Sequence, residues 1–381
     1  MTKFNTQLIH GGNSEDPTTG AVSTPIYRAS TFHQRVLGGH PKWEYSRTGN
    51  PTRAALEKLM AQLEEGVAGF AFASGSAAIA TVFAMYSRGD HFIVGKDVYG
   101  GTFRLINQVL KRFGMTFTVV DTRDLAAIEA AIQDNTVAIY FETPTNPLLQ
   151  ITDIRAVTAL ARRHHLRTIV DNTFATPYNQ QPLTLGADVV VHSATKYLAG
   201  HSDVVAGVAV TNDPAIADQL AFLQNSLGAT LGPDDSWLVQ RGIKTLAARM
   251  RIHEENAAAV VDFLQGDAHV AKIYYPGLAD FPGHDIAAKQ MRGFGAMIAF
   301  ELWAGLDTKQ FVEHLHLIDL AESLGGIESL IEVPAVMTHG SIPRAVRLRD
   351  WISDELIRLS VGIEDAADII ADLKQALGQL A

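Results

Sequence analysis

In the segment Ala187-Asp188-Val189-Val190-Val191-His192-Ser193-Ala194-Thr195-Lys196, an apolar run ends in two hydroxyl side chains and a lysine. The run shows no polar alternation, which predicts a strand buried on both faces. Small, glycine-containing sequence follows Lys196, so this lysine is poorly placed to be a solvated surface charge. It suits an amine that forms a Schiff base with a carbonyl cofactor, and Ser193 and Thr195 suit the phosphate of such a cofactor. A lysine that only caps a strand end is the alternative for so short a motif.

Strands and helices alternate on both sides of this segment. Residues 52–245 predict an α/β domain with a doubly wound, mainly parallel sheet, and residues 246–381 predict a smaller α+β domain. Residues 1–51 are rich in Gly, Pro, Ser and Thr and predict an extended arm that contacts a neighbouring subunit. The strands are predicted at 70–73, 91–94, 116–120, 138–142, 168–171, 189–192 and 204–210 in the large domain, and at 270–275, 296–302, 329–333 and 357–361 in the small one.

The composition describes an ordinary globular chain and excludes several classes of function. The net charge of −10, from 31 basic and 41 acidic residues, argues against non-specific nucleic-acid binding. The chain has no cysteine, so disulfides, thiolate metal ligands and cysteine nucleophiles are excluded, and no metal site is predicted. The first residues lack an apolar signal core, and no apolar segment reaches membrane-spanning length. We therefore expect a cytoplasmic protein without a membrane partner.

Polar residues cluster where the predicted strands end, which is where ligands bind in open α/β sheets. Gly75 and Ser76 lie in a small-residue turn between a strand and a helix, a geometry that points backbone N–H groups at a phosphate. Asp171 follows an apolar run and needs a partner. The protonated pyridine nitrogen of pyridoxal phosphate would be such a partner, and a helix N-cap is the alternative role. Tyr99 precedes two glycines, so its ring could lie on the cofactor or pack in the core.

The combined motifs resemble one family over nearly the whole chain. This family comprises the fold-type I pyridoxal-phosphate enzymes of cysteine and methionine metabolism, which include the trans-sulfuration enzymes. The segment Tyr45-Ser46-Arg47-Thr48-Gly49-Asn50-Pro51-Thr52 is similar to the family's phosphate-clamping segment, which reaches in from the neighbouring subunit. The segment Leu356-Ile357-Arg358-Leu359-Ser360-Val361-Gly362 is similar to the one that carries the family's carboxylate-binding arginine. An arginine fork binds a carboxylate in bidentate fashion, whereas a surface strand arginine is the alternative for Arg358.

The resemblance implies pyridoxal 5'-phosphate as the cofactor and gives each matching residue a role. Lys196 would form the Schiff base and share catalysis with Tyr99. The implied cofactor-binding residues are Tyr45, Arg47, Gly75, Ser76, Tyr99, Asn146, Asp171, Ser193, Thr195 and Lys196. The implied residues for a small amino-acid substrate are Asn146, Glu322, Ser323, Thr338 and Arg358. Because Tyr45 and Arg47 would act from the neighbouring subunit, a shared site needs at least a dimer. The resemblance implies a homotetramer built from two such dimers, and a dimer alone stays the alternative.

The substrate pocket is expected to decide the reaction within the family. Segments 320–329 and 337–339 are most similar to those of the γ-lyase and γ-synthase branch. Glu322 suits the distal amino group of cystathionine, although a helix-capping or exposed glutamate is the alternative. Gly101 stands where methionine γ-lyases typically carry a cysteine, which disfavours that activity.

The expected reaction is therefore α,γ-elimination of L-cystathionine to L-cysteine, 2-oxobutanoate and ammonia. Side elimination from cysteine or homocysteine would release hydrogen sulfide. Two alternatives within the family stay open: cystathionine γ-synthase, which performs a γ-replacement on an activated homoserine ester, and cystathionine β-lyase. Outside it, a nicotinamide dehydrogenase is disfavoured because no dinucleotide glycine fingerprint follows the first strand. A catalytically idle scaffold is disfavoured because none of the implied site residues is missing.

Overall fold

The computed structural model describes residues 2–12, 16, 18–338, 340, 344–349 and 352–380. Within them, two sheets organise the fold. The first is a seven-stranded sheet with the order β1-β7-β6-β5-β4-β2-β3, and the second is a five-stranded sheet with the order β10-β11-β12-β9-β8. The strands are β1 Ala68–Phe72, β2 His91–Gly95, β3 Thr116–Val120, β4 Thr136–Glu142, β5 Arg167–Asp171, β6 Val189–Ser193, β7 Gly207–Thr211, β8 Val270–Tyr274, β9 Met297–Leu302, β10 Asp319–Leu320, β11 Leu330–Glu332 and β12 Leu356–Ser360.

Helices cover both sheets. They are α1 Phe4–His10, α2 Pro51–Leu63, α3 Gly75–Phe83, α4 Gly100–Arg104, α5 Leu125–Ala130, α6 Ile154–Arg163, α7 Thr176–Asn179, α8 Pro214–Leu227, α9 Pro233–Ile243, α10 Leu246–Gly266, α11 His284–Gln290, α12 Thr308–Glu313, α13 Arg344–Arg349 and α14 Ala366–Leu377. A π-helical turn at Leu105–Val109 and 3₁₀ turns at Leu110–Phe113 and Pro182–Leu185 complete the regular structure of the described residues.

The large sheet is parallel apart from one strand. Strands β3, β2, β4, β5 and β6 pair in parallel, whereas β7 runs antiparallel to both of its neighbours, β6 and β1. Every residue of β2 and of β7 is buried, which accounts for the missing polar alternation in their sequences. The predicted α/β architecture with a mainly parallel sheet and a second, smaller sheet is confirmed.

Side-chain caps set the helix starts that matter for the large domain. The Asn50 side chain accepts hydrogen bonds from the backbone N–H groups of Thr52 and Arg53, and Pro51 supplies the first helical residue of α2. Ser74 caps α3 in the same way, with Oγ accepting from the N–H of Ala77 at 3.0 Å. Because α3 begins shortly after β1 ends, its free N–H groups lie at the carboxyl edge of the sheet.

Two segments differ in secondary structure from what their sequences predict. The segment predicted to be an extended arm contains α1, whose buried Leu8 belongs to the same core cluster as Leu56 and Leu59 of α2. The sequence of residues 102–113 predicts a single helix, but the chain leaves the α-helical path after Arg104 and the helical segment ends at Gly114, which has a φ of 84°. A left-handed glycine is a common way to terminate a helical segment.

Candidate active site

A cavity of about 420 Å³ lies at the carboxyl edge of the large sheet and is closed on its other side by the small domain. Strand ends, the start of α3 and the segments before β11 and after it supply its lining. It brings together twelve of the residues predicted for the site, namely Gly75, Ser76, Tyr99, Asn146, Asp171, Ser193, Thr195, Lys196, Glu322, Ser323, Thr338 and Arg358. His339, at the end of the predicted segment 337–339, lies outside the described residues.

One end of the cavity is built to hold an anion. The N-terminus of α3 opens into it, with Ser76 in its first turn and the hydroxyls of Ser193 and Thr195 on the facing strand end. A Cβ on Gly75 would lie 2.9 Å from the Cβ of Ser193, so only glycine allows this close approach. Backbone N–H groups, hydroxyls and the positive end of a helix together favour a phosphate.

Asp171 lies deep in the cavity at the end of β5. Its Oδ1 accepts hydrogen bonds from the N–H of Thr173 at 3.0 Å and from the Thr173 hydroxyl at 2.5 Å. Its Oδ2 accepts one from the Tyr140 hydroxyl at 3.3 Å. Burial nevertheless raises the pKa of Asp171, and the hydrogen bonds from Thr173 oppose that rise. The carboxylate is therefore oriented by neutral donors and suited to a cationic partner.

Lys196 follows β6 and lies across the cavity from the small domain. Its Nζ donates a hydrogen bond of 2.7 Å to the Oγ of Ser323. Burial, together with the positive charge of Arg358, lowers the pKa of Lys196 to about 8, against the opposing charges of Glu332 and Glu322. A substantial fraction of this amine is therefore neutral near physiological pH, which is the form that attacks carbonyls.

Arg358, on β12, forms the other pole of the cavity. Its guanidinium donates to Asn146 Oδ1 at 3.0 Å and to the carbonyl of Ser323 at 2.8 Å. Its Nη1 also forms an ion pair of 3.0 Å with Oε1 of Glu332. The buried Nε of Arg358 has no hydrogen-bond partner among the described residues, so a donor remains for a ligand. Burial lowers the pKa of Arg358, and the charge of Glu332 opposes this.

Tyr99 stands at the mouth of the cavity, and its backbone is fixed by a residue that the sequence analysis did not single out. The N–H of Tyr99 donates to Oε1 of Glu142 at 2.6 Å. The Tyr99 ring is 45 % exposed and leaves no space beside it, because a Cβ on Gly101 would lie 2.2 Å from its Cε1. A side chain at position 101 would therefore shift the Tyr99 ring from this placement.

Tyr45 and Arg47 do not line the cavity of the chain that carries them. Arg47 donates to the carbonyl of Asn225 at 2.6 Å, and its guanidinium lies 5.6 Å from the centre of the Tyr45 ring. Tyr45 is 46 % exposed. Both side chains therefore lie on the surface, away from the Lys196 site of the same chain.

Several residues around the cavity were not among those predicted for the site from the sequence. Glu142 and Thr173 line the cavity, and Glu332 lies behind Arg358. Glu64 and His192 form a fully buried contact of 2.6 Å behind Asp171. Glu142 and Glu332 are the last residues of strands, so the polar residue at a strand end was the available signal. Their partners lie far away in the sequence, and a single strand does not reveal them.

The donor set fits pyridoxal phosphate. Ser193, Thr195 and the start of α3 suit its phosphate, Asp171 suits its protonated ring nitrogen, and Lys196 is an amine of lowered pKa for its aldehyde. The close approach that Gly75 permits makes the phosphate end a backbone-lined cradle. Fold and site together define the class of fold-type I pyridoxal-phosphate enzymes.

Comparison with known proteins specifies the family. The model of the family described as Cys/Met metabolism PLP-dependent enzyme matches residues 5–378, and the chain belongs to this family. It is a pyridoxal-phosphate-dependent trans-sulfuration enzyme, so the predicted family and cofactor are confirmed.

Three relatives show how closely the chain follows this family. A protein of Lactococcus lactis subsp. cremoris named cystathionine beta-lyase is 58% identical over 377 residues, 99% of each chain. A cystathionine gamma-synthase of Mycobacterium bovis is 52% identical, over 98% of this chain and 96% of the relative. The crystal structure of cystathionine gamma-lyase from Lactobacillus plantarum complexed with L-serine superposes with a TM-score of 0.98 at 62% identity, covering 100% of both chains.

The described ranges lack two further features, a membrane-spanning helix and a cluster of metal ligands. Among these residues no helix is long and apolar enough to cross a membrane. In the same part of the chain, no group of three or more His, Cys, Asp or Glu side chains is placed to hold a metal ion.

Proposed function

We propose that the protein catalyses α,γ-elimination of L-cystathionine to L-cysteine, 2-oxobutanoate and ammonia. Side elimination from cysteine or homocysteine would release hydrogen sulfide. The observation that carries the proposal is that a carboxylate, Glu322, and the arginine Arg358 line the same cavity as Lys196. Cystathionine has a second amino-acid end, whose ammonium group a carboxylate can recognise. The gamma-lyase named above, at 62% identity, gives independent support.

Arg358 binds the α-carboxylate of the substrate. Its unpartnered Nε–H is available to the incoming group, while Asn146 and the Ser323 carbonyl hold the guanidinium in place. A guanidinium whose plane is fixed in this way binds a carboxylate with defined orientation. The bonds at Cα are thereby presented toward Lys196.

Lys196 moves the protons. Bound pyridoxal phosphate supplies an electron sink for the bond broken at Cα, and Asp171 keeps its ring nitrogen protonated. Lys196 Nζ removes the Cα proton, gives that proton up to solvent and, neutral again, removes a proton at Cβ. Both removals require the neutral amine that its lowered pKa favours. Ser323 Oγ holds Nζ on the substrate side of the cavity.

Tyr99 assists departure of the thiol. The bond between Cγ and sulfur breaks, and the sulfur takes a proton from the Tyr99 hydroxyl to leave as cysteine. Lys196 returns a proton to Cγ, a proton from solvent reaches Cβ, and the Tyr99 hydroxyl recovers its own proton from solvent. Water then hydrolyses the carbon–nitrogen bond, which releases 2-oxobutanoate and ammonia. Glu142 keeps the backbone of Tyr99 at the cavity mouth, where the leaving sulfur would lie.

We also propose that the working form is a cytoplasmic homotetramer of dimers that share active sites. Tyr45 and Arg47 lie on the surface of their own chain and outside its cavity, which suits residues that serve the phosphate of a neighbour. Each complete site would then need two subunits.

A product assay with cystathionine tests the reaction. Cysteine with 2-oxobutanoate and ammonia is the expected result, whereas homocysteine with pyruvate would establish β-elimination, the activity in the name of the Lactococcus relative. Condensation of cysteine onto an activated homoserine ester, without turnover of cystathionine, would establish the synthase reaction instead. Glu322→Ala should lower kcat/KM for cystathionine more than for homocysteine, which has no distal ammonium. Equal losses would remove Glu322 from substrate recognition.

A further inference from the structure

Arg358 has a resident counter-ion on the neighbouring strand. Glu332 on β11 is the in-register partner of Arg358 on β12. Its Oε1 lies 3.0 Å from Nη1 of Arg358, with side-chain exposures of 0 % for Glu332 and 3 % for Arg358. Both charges are therefore withdrawn from water and compensate one another.

Among the described residues, only one oxygen of Glu332 makes polar contacts. Oε1 faces Arg358 and also accepts a hydrogen bond of 2.9 Å from the hydroxyl of Thr338. Oε2 is buried and has no hydrogen-bond partner among the described residues. Burial raises the pKa of Glu332, and the charge of Arg358 opposes that rise. The main contribution of this carboxylate is therefore its charge beside the guanidinium.

A buried guanidinium without a counter-ion is costly, so whatever neutralises it is bound strongly. With Glu332 in place, an incoming carboxylate meets an ion pair that is already neutral. The incoming carboxylate would then be the second negative charge, beside that of Glu332, in the same small volume. We propose that Glu332 acts through Arg358 to weaken the binding of the α-carboxylate, so that the acidic product can leave.

This inference rests on the proposed role of Arg358 as the carboxylate-binding residue. The product 2-oxobutanoate keeps the carboxylate of the substrate and loses the amino group. Its affinity for the site therefore depends mainly on Arg358. A bare arginine would retain it, whereas an arginine shared with Glu332 releases it.

The test is the affinity of the holoenzyme for butanoate, a carboxylate without an amine or a carbonyl that could react with the cofactor. Glu332→Gln keeps an oxygen at the Oε1 position for Arg358 and Thr338 and removes only the charge. We expect the Kd of butanoate, measured by calorimetry, to fall about tenfold in this variant. A purely structural role for Glu332 predicts weaker binding, and an unchanged or higher Kd would overturn the proposal.

Glu322→Gln is the matched control, because it removes the same charge from the same cavity without touching the ion pair. It should lower the Kd of butanoate much less than Glu332→Gln, and an equal decrease would show a general charge effect in place of the proposed pairing. Arg358→Gln tests the role of the arginine separately from the role of Glu332. Unchanged butanoate binding in Arg358→Gln would refute the role of the arginine, whereas lost binding there without tightening in Glu332→Gln refutes the role of Glu332 alone.

Glu332→Asp decides the matter if the glutamine variant does not yield folded holoenzyme. This change keeps the charge and withdraws the carboxylate from Arg358 by about 1.5 Å, one carbon–carbon bond. We expect a smaller decrease in the Kd of butanoate. A Kd that stays the same or rises would overturn the proposal equally.

Discussion

Glu142 and Asp171 are in-register neighbours on the parallel strands β4 and β5. Paired residues of adjacent strands project to the same face of a sheet, so two carboxyl groups share the floor of the cavity. Burial raises the pKa of Glu142 well above its usual range, and the charge of Asp171 raises it further. The pair therefore favours a neutral Glu142 beside an ionised Asp171, which has hydrogen bonds from Thr173.

The first prediction concerns pH-dependent stability of the cofactor-free protein. A carboxyl whose pKa is raised on folding stabilises the protein below its unfolded pKa, and that contribution is lost as pH rises through the folded pKa. Glu142→Gln cannot ionise and keeps an acceptor for the N–H of Tyr99. Urea unfolding at pH 5.5 and pH 8 should show the variant gaining on the wild type as pH rises, by at most about 1.4 kcal/mol per pH unit. Glu313→Gln, on the exposed side of α12, should show no such trend, and a gain at low pH would contradict the prediction.

The second prediction concerns the reactivity of Lys196. Only the neutral amine captures the aldehyde of pyridoxal phosphate, so the capture rate should rise with pH with a midpoint of about 8. Arg358→Gln removes a positive charge that disfavours the ammonium form, so the midpoint should move to higher pH. Stopped-flow absorbance of the cofactor measures this, with the exposed Arg155→Gln as a control that leaves the midpoint in place. A midpoint that falls in Arg358→Gln would reverse the assigned electrostatics.

The third prediction concerns the shared active site. Arg47→Ala should weaken retention of pyridoxal phosphate, and Lys196→Ala should abolish turnover. If each site takes Lys196 from one chain and Arg47 from another, random pairing of the two variants makes about half of the dimers hybrid. One of the two sites in each hybrid is native, so about a quarter of all sites are restored. Activity after unfolding and refolding of the mixture measures this. No recovery above the separately refolded variants would place Arg47 in the site of its own chain or outside any site.

The fourth prediction concerns Gly101. A Cβ at this position would clash with the Tyr99 ring, so Gly101→Ala should displace the ring and raise the Kd of pyridoxal phosphate about tenfold, a loss of the order expected for one aromatic stacking contact. Gly266→Ala is the matched control, because a Cβ at the end of α10 meets nothing within 4 Å. Equilibrium dialysis of the cofactor compares the two. Equal affinities of Gly101→Ala and Gly266→Ala for the cofactor would show that Tyr99 does not stack on the cofactor ring.

Strand positions could be predicted because their side chains are buried on both faces. The strand predicted at 91–94 lies within β2, whose residues are all buried, and Asp171 ends β5 while Lys196 follows β6, as expected. The reversed direction of β7 could not be predicted, since a fully buried strand reads the same in either direction. Glu142 and Glu332 were missed for a related reason: their importance comes from Asp171 and Arg358, which approach them only after strands distant in the chain pair in register.

The hydrogen bond from Lys196 to Ser323 and the one from Arg358 to Asn146 each join the large sheet to the small one. In the proposed reaction Lys196 also binds the cofactor, and Arg358 also binds the substrate. Cohesion between the two domains therefore varies within each turnover, being greatest before a substrate arrives. A hinge motion of the part that carries the small sheet would open the half of the cavity that holds the amino acid. It would leave the phosphate end at the start of α3 intact. Timing of substrate entry and product exit would then be governed by the same contacts that set the chemistry.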